Sequence, residues 1–187
     1  MTSPTSEVKG IWFASLRGYL EQEGHRGALP ELLESLPAAA QAALADPLVS
    51  AWYPEDALAV VLDGVHRVTA GGSDARFEEL MEAVTIHGVS RFFRVLLQLS
   101  TPGFVVGKIP VLWDRMRRGA GKVEVDRDAV RARVYYTRFP YFDAPVYRLL
   151  TTGSIRGITR ICGGMSCRIE ALRHTHDSLD VEVTFGR

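Results

Sequence analysis

The sequence predicts an α+β fold: a helical N-terminal two-thirds packed on a C-terminal β-β-α-β-β antiparallel sheet module. Three observations carry that prediction. Apolar residues recur at helical spacing from Trp12 to Met116. At Gly119-Ala120-Gly121 the spacing gives way to strict alternation. A helix-length stretch, Asp143 to Gly164, then stands between two alternating regions. The whole chain, 1–187, reads as a single domain with a helical part over 8–118 and a sheet part over 122–187.

The elements follow in order. Residues 1–7 read as a loose tail. Trp12, Phe13, Leu16, Tyr19 and Leu20 share a helical face that Gly24 ends. Pro30 opens a short helix to Leu36, Pro37 breaks it, and the Ala-rich stretch 38–45 forms another. Tyr53 precedes a proline and is pushed toward extended backbone. Pro54 opens the next helix, where Glu55 and Asp56 suit the positive helix start. Leu58, Val61, Leu62 and Val65 form its buried face, and Gly71-Gly72 ends it. Ser73 caps a helix that buries Phe77, Leu80, Met81 and Val84. Gly88 interrupts the pattern before Phe92, Phe93, Leu96 and Leu97 resume it. From Phe104 the period is helical to Arg118, with a break expected near Lys108 because Pro110 lacks a backbone donor.

Val123 to Tyr136 alternates with charged residues and reads as a strand pair or one bent strand, with a turn near 126–129. Asp143 caps the long helix, and Val146, Leu149, Leu150, Ile158 and Ile161 form its apolar side. Two alternating runs, 166–173 and 179–185, close the chain around a turn at 174–178.

Composition limits the function. Lys plus Arg and Asp plus Glu are 22 each, so no net charge points to nucleic acid. The arginines between Arg115 and Arg138 read as a solvated helix end and an exposed strand face. No apolar run approaches the roughly 18 residues of a membrane span, and the N-terminus lacks the apolar core of a signal peptide. Two cysteines make no disulfide framework, so a reduced, cytoplasmic protein is expected.

No catalytic signature is present: no phosphate loop, no nucleophile elbow, no His-Glu-x-x-His. The chain is therefore read as no enzyme, and no cofactor or metal is expected. Cys162, Cys167, His174 and His176 lack a standard zinc spacing. His87 has the best position for a haem ligand, but a lone helical histidine is more often structural. Two features remain. Gly153 and Gly157 each cost a helix about 1 kcal/mol relative to alanine, which implies close approach of the underlying sheet, a helix or a ligand. Packing on the helix's own sheet is the leading reading, and a dimer contact or pocket wall the functional one. The aromatic run Tyr135 to Phe142 serves either a pocket mouth or an association surface.

Lys9-Gly10 with Phe13, Trp52-Tyr53-Pro54, the Pro110/Trp113 helix before a glycine turn, and the final helix–Gly-Gly–strand–strand order resemble a known family. It is a myxobacterial set of paralogues of about 200 residues without an established function. More distantly the C-terminal part is similar to haem-nitric-oxide-binding domains, vinyl-reductase-type ligand domains and subunits of the TRAPP tethering complex. The resemblance implies a pocket between helices and sheet, frequent dimers and no catalysis. The haem branch holds its propionates with a Tyr-x-Ser-x-Arg motif. Here Tyr135-Tyr136-Thr137-Arg138-Phe139 lacks the final arginine, which argues against haem.

The leading expectation is a regulatory or scaffolding domain acting through self-association or another protein. Tyr135, Phe139, Tyr141, Phe142, Gly153 and Gly157 would form the interface. The alternative is a sensor for a small apolar ligand, in a pocket lined by Phe92, Phe93, Leu96, Trp113 and Tyr136. Neither reading involves nucleic acid or membrane insertion.

Overall fold

The computed structural model describes residues 6–22, 27–89, 97–162 and 166–186. The α+β organisation is observed: helices dominate up to Met116 and a sheet with one long helix follows. The first strand β1 (Glu7–Lys9) leads into α1 (Ile11–Leu20), α2 (Ala28–Ser35) and α3 (Ala38–Ala45). Strand β2 (Trp52–Pro54) precedes α4 (Glu55–Gly64), which loosens into a π-helical turn over Val65–Thr69. Gly71 and Gly72 have positive φ and end it. Helix α5 (Asp74–Gly88) follows, with the Ser73 hydroxyl accepting from the Arg76 amide. The break expected near Lys108 is present, between α6 (Pro102–Val106) and α7 (Ile109–Met116).

Strands β3 (Arg117–Arg118), β4 (Lys122–Arg127) and β5 (Arg131–Thr137) come next. Then α8 (Pro145–Ile161), β6 (Cys167–His174) and β7 (Leu179–Phe185) complete the chain. The alternating stretch from Val123 is thus a strand pair. Its sheet runs β4-β5-β7-β6, antiparallel throughout. The pleat puts Ala132, Val134 and Tyr136 opposite Val183, Val181 and Leu179, all buried. Arg133 and Glu182, on the other face, pair at 3.1 Å.

A second sheet, β2-β1-β3, joins segments far apart in sequence. Glu7 stands opposite Pro54 on one side and Arg118 on the other. The tail expected over residues 1–7 is corrected at its end, where Glu7 is the first residue of the central strand. A Cβ on Gly10 would fall 2.1 Å from the Leu48 carbonyl oxygen, so only glycine lets the chain pass there. Trp52 is flanked by two cations, with Lys9 Nζ 4.2 Å and Arg118 Cζ 4.6 Å from its ring.

Two local expectations are corrected. Asp143 does not cap α8: Ala144 holds the cap position and offers no side-chain bond. Arg148 instead donates to the Phe142 and Asp143 carbonyls at 2.6 and 2.8 Å. The glycines of α8 face α5, not the sheet. A Cβ on Gly153 would stand 2.7 Å from the Glu78 carbonyl oxygen, and one on Gly157 2.8 Å from that of Glu82. Arg156–Glu78 and Arg160–Glu82 ion pairs flank the same seam.

Candidate ligand-binding site

The packing of α8 on α5 leaves space where α5 ends. There a cavity of about 440 Å³ opens among α1, the end of α5, α6, α7, α8 and β5. Its walls are Ile11, Val84, Val89, Leu97, Val105, Ile109, Leu112, Leu150, Ile155 and Ile158. Val84, Ile109, Leu150 and Ile155 among them belong to the buried core, so the cavity borders the core directly. The volume and apolar lining lie in the range of small-molecule sites. Hydroxyls of Ser15, Thr85, Thr151 and Ser154 also border it. Thr85 and Thr151 return their protons to their own helices, bonding the Met81 and Tyr147 carbonyls.

One end is different. Arg117 lines the cavity while only 8% exposed. Its Nε donates to Glu55 Oε1 at 3.3 Å, and Glu55 is fully buried. Tyr147 Oη lies 2.9 Å from the same carboxylate oxygen and 3.1 Å from the Glu55 carbonyl. The small sheet assembles this group. β2 delivers Glu55 at the start of α4, β3 begins with Arg117, and β1 lies between them. The guanidinium is caged by Trp113, Trp12 and Phe139, with ring centroids 4.6, 5.4 and 5.5 Å from Cζ. Its Nη atoms donate to no described residue. Trp12 Nε1 and Glu55 Oε2 are buried without a partner among the described residues.

Tyr136 stands beside this corner, its ring 5.5 Å from that of Trp113. Its hydroxyl forms no hydrogen bond among the described residues. Burial pushes its phenol far above the ordinary value, with the Arg117 charge pulling weakly the other way. Tyr147 is raised as well, by burial first and then by the Glu55 charge.

Of the pocket residues expected from sequence, Trp113 and Tyr136 meet at this cavity. Phe92, Phe93 and Leu96 lie outside the described residues. The expected interface is corrected at four positions. Phe139 and Phe142 are 1% and 0% exposed and pack on each other at 5.2 Å, while Gly153 and Gly157 are buried against α5. These residues serve the chain's own interior. Tyr141 is half-buried and donates to Asp56 Oδ1 at 2.6 Å; Tyr135 is half-buried on the outer sheet face.

Arg117, Glu55 and Tyr147 were not singled out from sequence. Arg117 sits in the run Arg115-Met116-Arg117-Arg118, which reads as solvated charge, and Glu55 reads as a helix-start acid. The available signal was Tyr147 itself, a large aromatic one residue from Val146 on the buried stripe of α8.

The described histidines stand elsewhere. His87 Nδ1 lies 2.7 Å from Gln22 Nε2 on the α1 side, and His66 pairs with Asp74. His174 and His176 are exposed at the β6–β7 turn. Among the described residues no three His, Cys, Asp or Glu side chains converge. No described helix is long and apolar enough to cross a membrane.

Comparison with solved structures fixes the architecture. A point mutant of the T. tengcongensis H-NOX protein aligns with TM-score 0.66 at 13% identity, over 96% of this chain and 98% of that one. The fold is H-NOX-like. The iron(II) unliganded H-NOX protein from K. algicida gives 0.62 at 11% identity, over 96% and 97%. An oxygen-binding H-NOX domain related to soluble guanylate cyclases gives 0.61 at 13%, over 95% and 93%. No protein-family model and no curated protein matches the chain. The likeness to H-NOX structures, at these identities, concerns the course of the backbone.

Proposed function

We propose that this chain is a non-enzymatic sensor domain that binds a small apolar molecule between its helices and its sheet. The cavity of about 440 Å³ beneath α8, walled by aliphatic side chains, carries the proposal. The H-NOX-like fold supports it, since the solved structures that share the fold include an oxygen-binding domain. Scaffolding through self-association has less support. Phe139, Phe142, Gly153 and Gly157, on which it rested, are committed to internal packing. The proposal extends to a cytoplasmic location and to membership of the myxobacterial paralogous family.

Haem does not fit the residues present. Haem iron takes an axial histidine, thiolate, methionine or tyrosinate. None of the described histidines and neither cysteine lines the cavity, and the stretch 90–96 contains no histidine or cysteine. Tyr136 does line it, but burial disfavours the phenolate that ligation requires. Met116 is left as a lone thioether.

The test is titration with N-phenyl-1-naphthylamine, a neutral apolar fluorophore. Saturable enhancement is expected, abolished by Ile158→Trp, which fills the cavity from α8. No enhancement in the folded wild-type protein would remove the sensor reading. Incubation with haemin followed by desalting is expected to leave no Soret band.

A further inference from the structure

The cavity has a polar corner, and its charge balance says what kind of ligand it takes. We infer that the ligand is a neutral molecule with an apolar body and one hydrogen-bond acceptor, such as a carbonyl, held by the Arg117 guanidinium and the Tyr136 hydroxyl. The inference rests on the proposed sensor function and specifies the chemistry of that same site.

Arg117 supplies the donors. A guanidinium carries five N–H groups in a fixed fork. One is used at Glu55, and the Nη groups bond to no described residue. Arg117 is 8% exposed and lines the cavity, so these groups are left for an acceptor that the cavity holds. The rings of Trp113, Trp12 and Phe139 surround the guanidinium without giving it a hydrogen-bond acceptor. Tyr136 adds a second donor at the same corner, since it and Arg117 both pack on Trp113. Most of the remaining wall is aliphatic, interrupted by Ser15, Thr85, Thr151 and Ser154.

Glu55 supplies the selectivity. Its carboxylate already balances the Arg117 charge, and the Tyr147 hydroxyl reinforces it. An anionic ligand would bring a second negative charge into a buried place with one cation. It would lose its hydration without gaining an unpaired partner. A carbonyl oxygen accepts the same hydrogen bonds at no such cost.

The experiment compares three probes of similar shape by calorimetry at neutral pH: 2-acetylnaphthalene, 2-ethylnaphthalene and 2-naphthoate. The ketone is expected to bind tightest, about tenfold over the hydrocarbon, as one well-made hydrogen bond allows. The carboxylate should bind weakest. Tyr136→Phe keeps the ring and removes the hydroxyl. It should cut ketone affinity about tenfold or less while leaving hydrocarbon affinity unchanged. Its melting curve shows whether it is folded. Because Arg117→Met alone strands Glu55, the pair Glu55→Gln with Arg117→Met is the second variant. It should erase the ketone preference. Tightest binding of 2-naphthoate would overturn the inference in favour of an anion site. Equal affinity for ketone and hydrocarbon in the wild type would overturn it while leaving the sensor reading intact. Failure of all three to bind would remove both.

Discussion

Arg117 and Glu55 form a buried ion pair at 3.3 Å, with the guanidinium inside a cage of aromatic rings and the carboxylate fully out of solvent. Burying both charges is costly, and their attraction offsets that cost only while both are present. Glu55→Gln or Arg117→Met should each destabilise the protein by about 3–5 kcal/mol, because each leaves one charge stranded. The combined Glu55→Gln, Arg117→Met variant should recover most of that loss. Urea unfolding of the four proteins closes the cycle. Strictly additive losses would show that the two charges do not act as a pair.

The seam between α8 and α5 permits no side chain at Gly153 or Gly157. A Cβ on Gly153 would meet the Glu78 carbonyl oxygen and the Met81 Cβ, both of them fixed parts of α5. Gly153→Ala gains helix propensity of about 1 kcal/mol, yet should still lower stability by a net 1–3 kcal/mol through overpacking, to about the same extent as Gly157→Ala. The reading is the urea midpoint with an unchanged m-value. An increase in stability at both positions would mean that the helices can separate without loss.

Alkaline pH should unfold the protein sooner than acid-group chemistry alone would suggest. Burial, and then the charge of Cys167, pushes the Cys162 thiol from 9.0 up to about 11. Burial raises Tyr136 and Tyr147 as well. In each case the unfolded chain loses the proton at lower pH than the folded one. Raising the pH therefore favours the unfolded state, and for Cys162 the loss accrues between about pH 9 and 11. Stability by urea at pH 8 and pH 10.5 should differ, and Cys162→Ala should remove part of the difference. In the native protein the same thiol should react slowly with iodoacetamide at pH 8, because so little of it is thiolate.

Narrowing the cavity should stabilise the protein if the replacement fits and weaken binding in either case. Val84 and Leu150 face the space from two helices. Val84→Leu adds one methylene, worth about 0.8 kcal/mol when buried without strain. Thermal unfolding together with fluorophore titration distinguishes a filled cavity from a disrupted one. A lower melting temperature with full binding retained would place the ligand elsewhere.

Much of this architecture was legible in the sequence because its elements are long enough to show a period. Leu58, Val61, Leu62 and Val65 marked the buried face of α4, and Val134 to Tyr136 with Val181 and Val183 marked the sheet. The site was less legible. The strands that bring Glu55 beside Arg117 are two or three residues long, and no alternation can be read over that length. Charge also misled. Arginine is rarely buried unless paired, so the run from Arg115 to Arg118 reads as surface until its partner is known. The aromatic run from Tyr135 to Phe142 misled in the opposite sense, since Phe139 and Phe142 complete a core rather than expose a face. Gly153 and Gly157 signalled close approach correctly, but the sequence did not say that the neighbour is α5.

The residues of the polar corner lie far apart along the chain: Glu55 and Arg117 by 62 positions, Glu55 and Tyr147 by 92. The corner therefore exists only after two long loops have closed. A molecule bound there has affinity for the complete fold alone. It should raise the unfolding midpoint in proportion to the logarithm of its concentration and leave no folded fragment behind to bind it. Occupancy of the cavity and completion of folding are in that sense one equilibrium, so the ligand would set how much of this protein persists as well as what it reports.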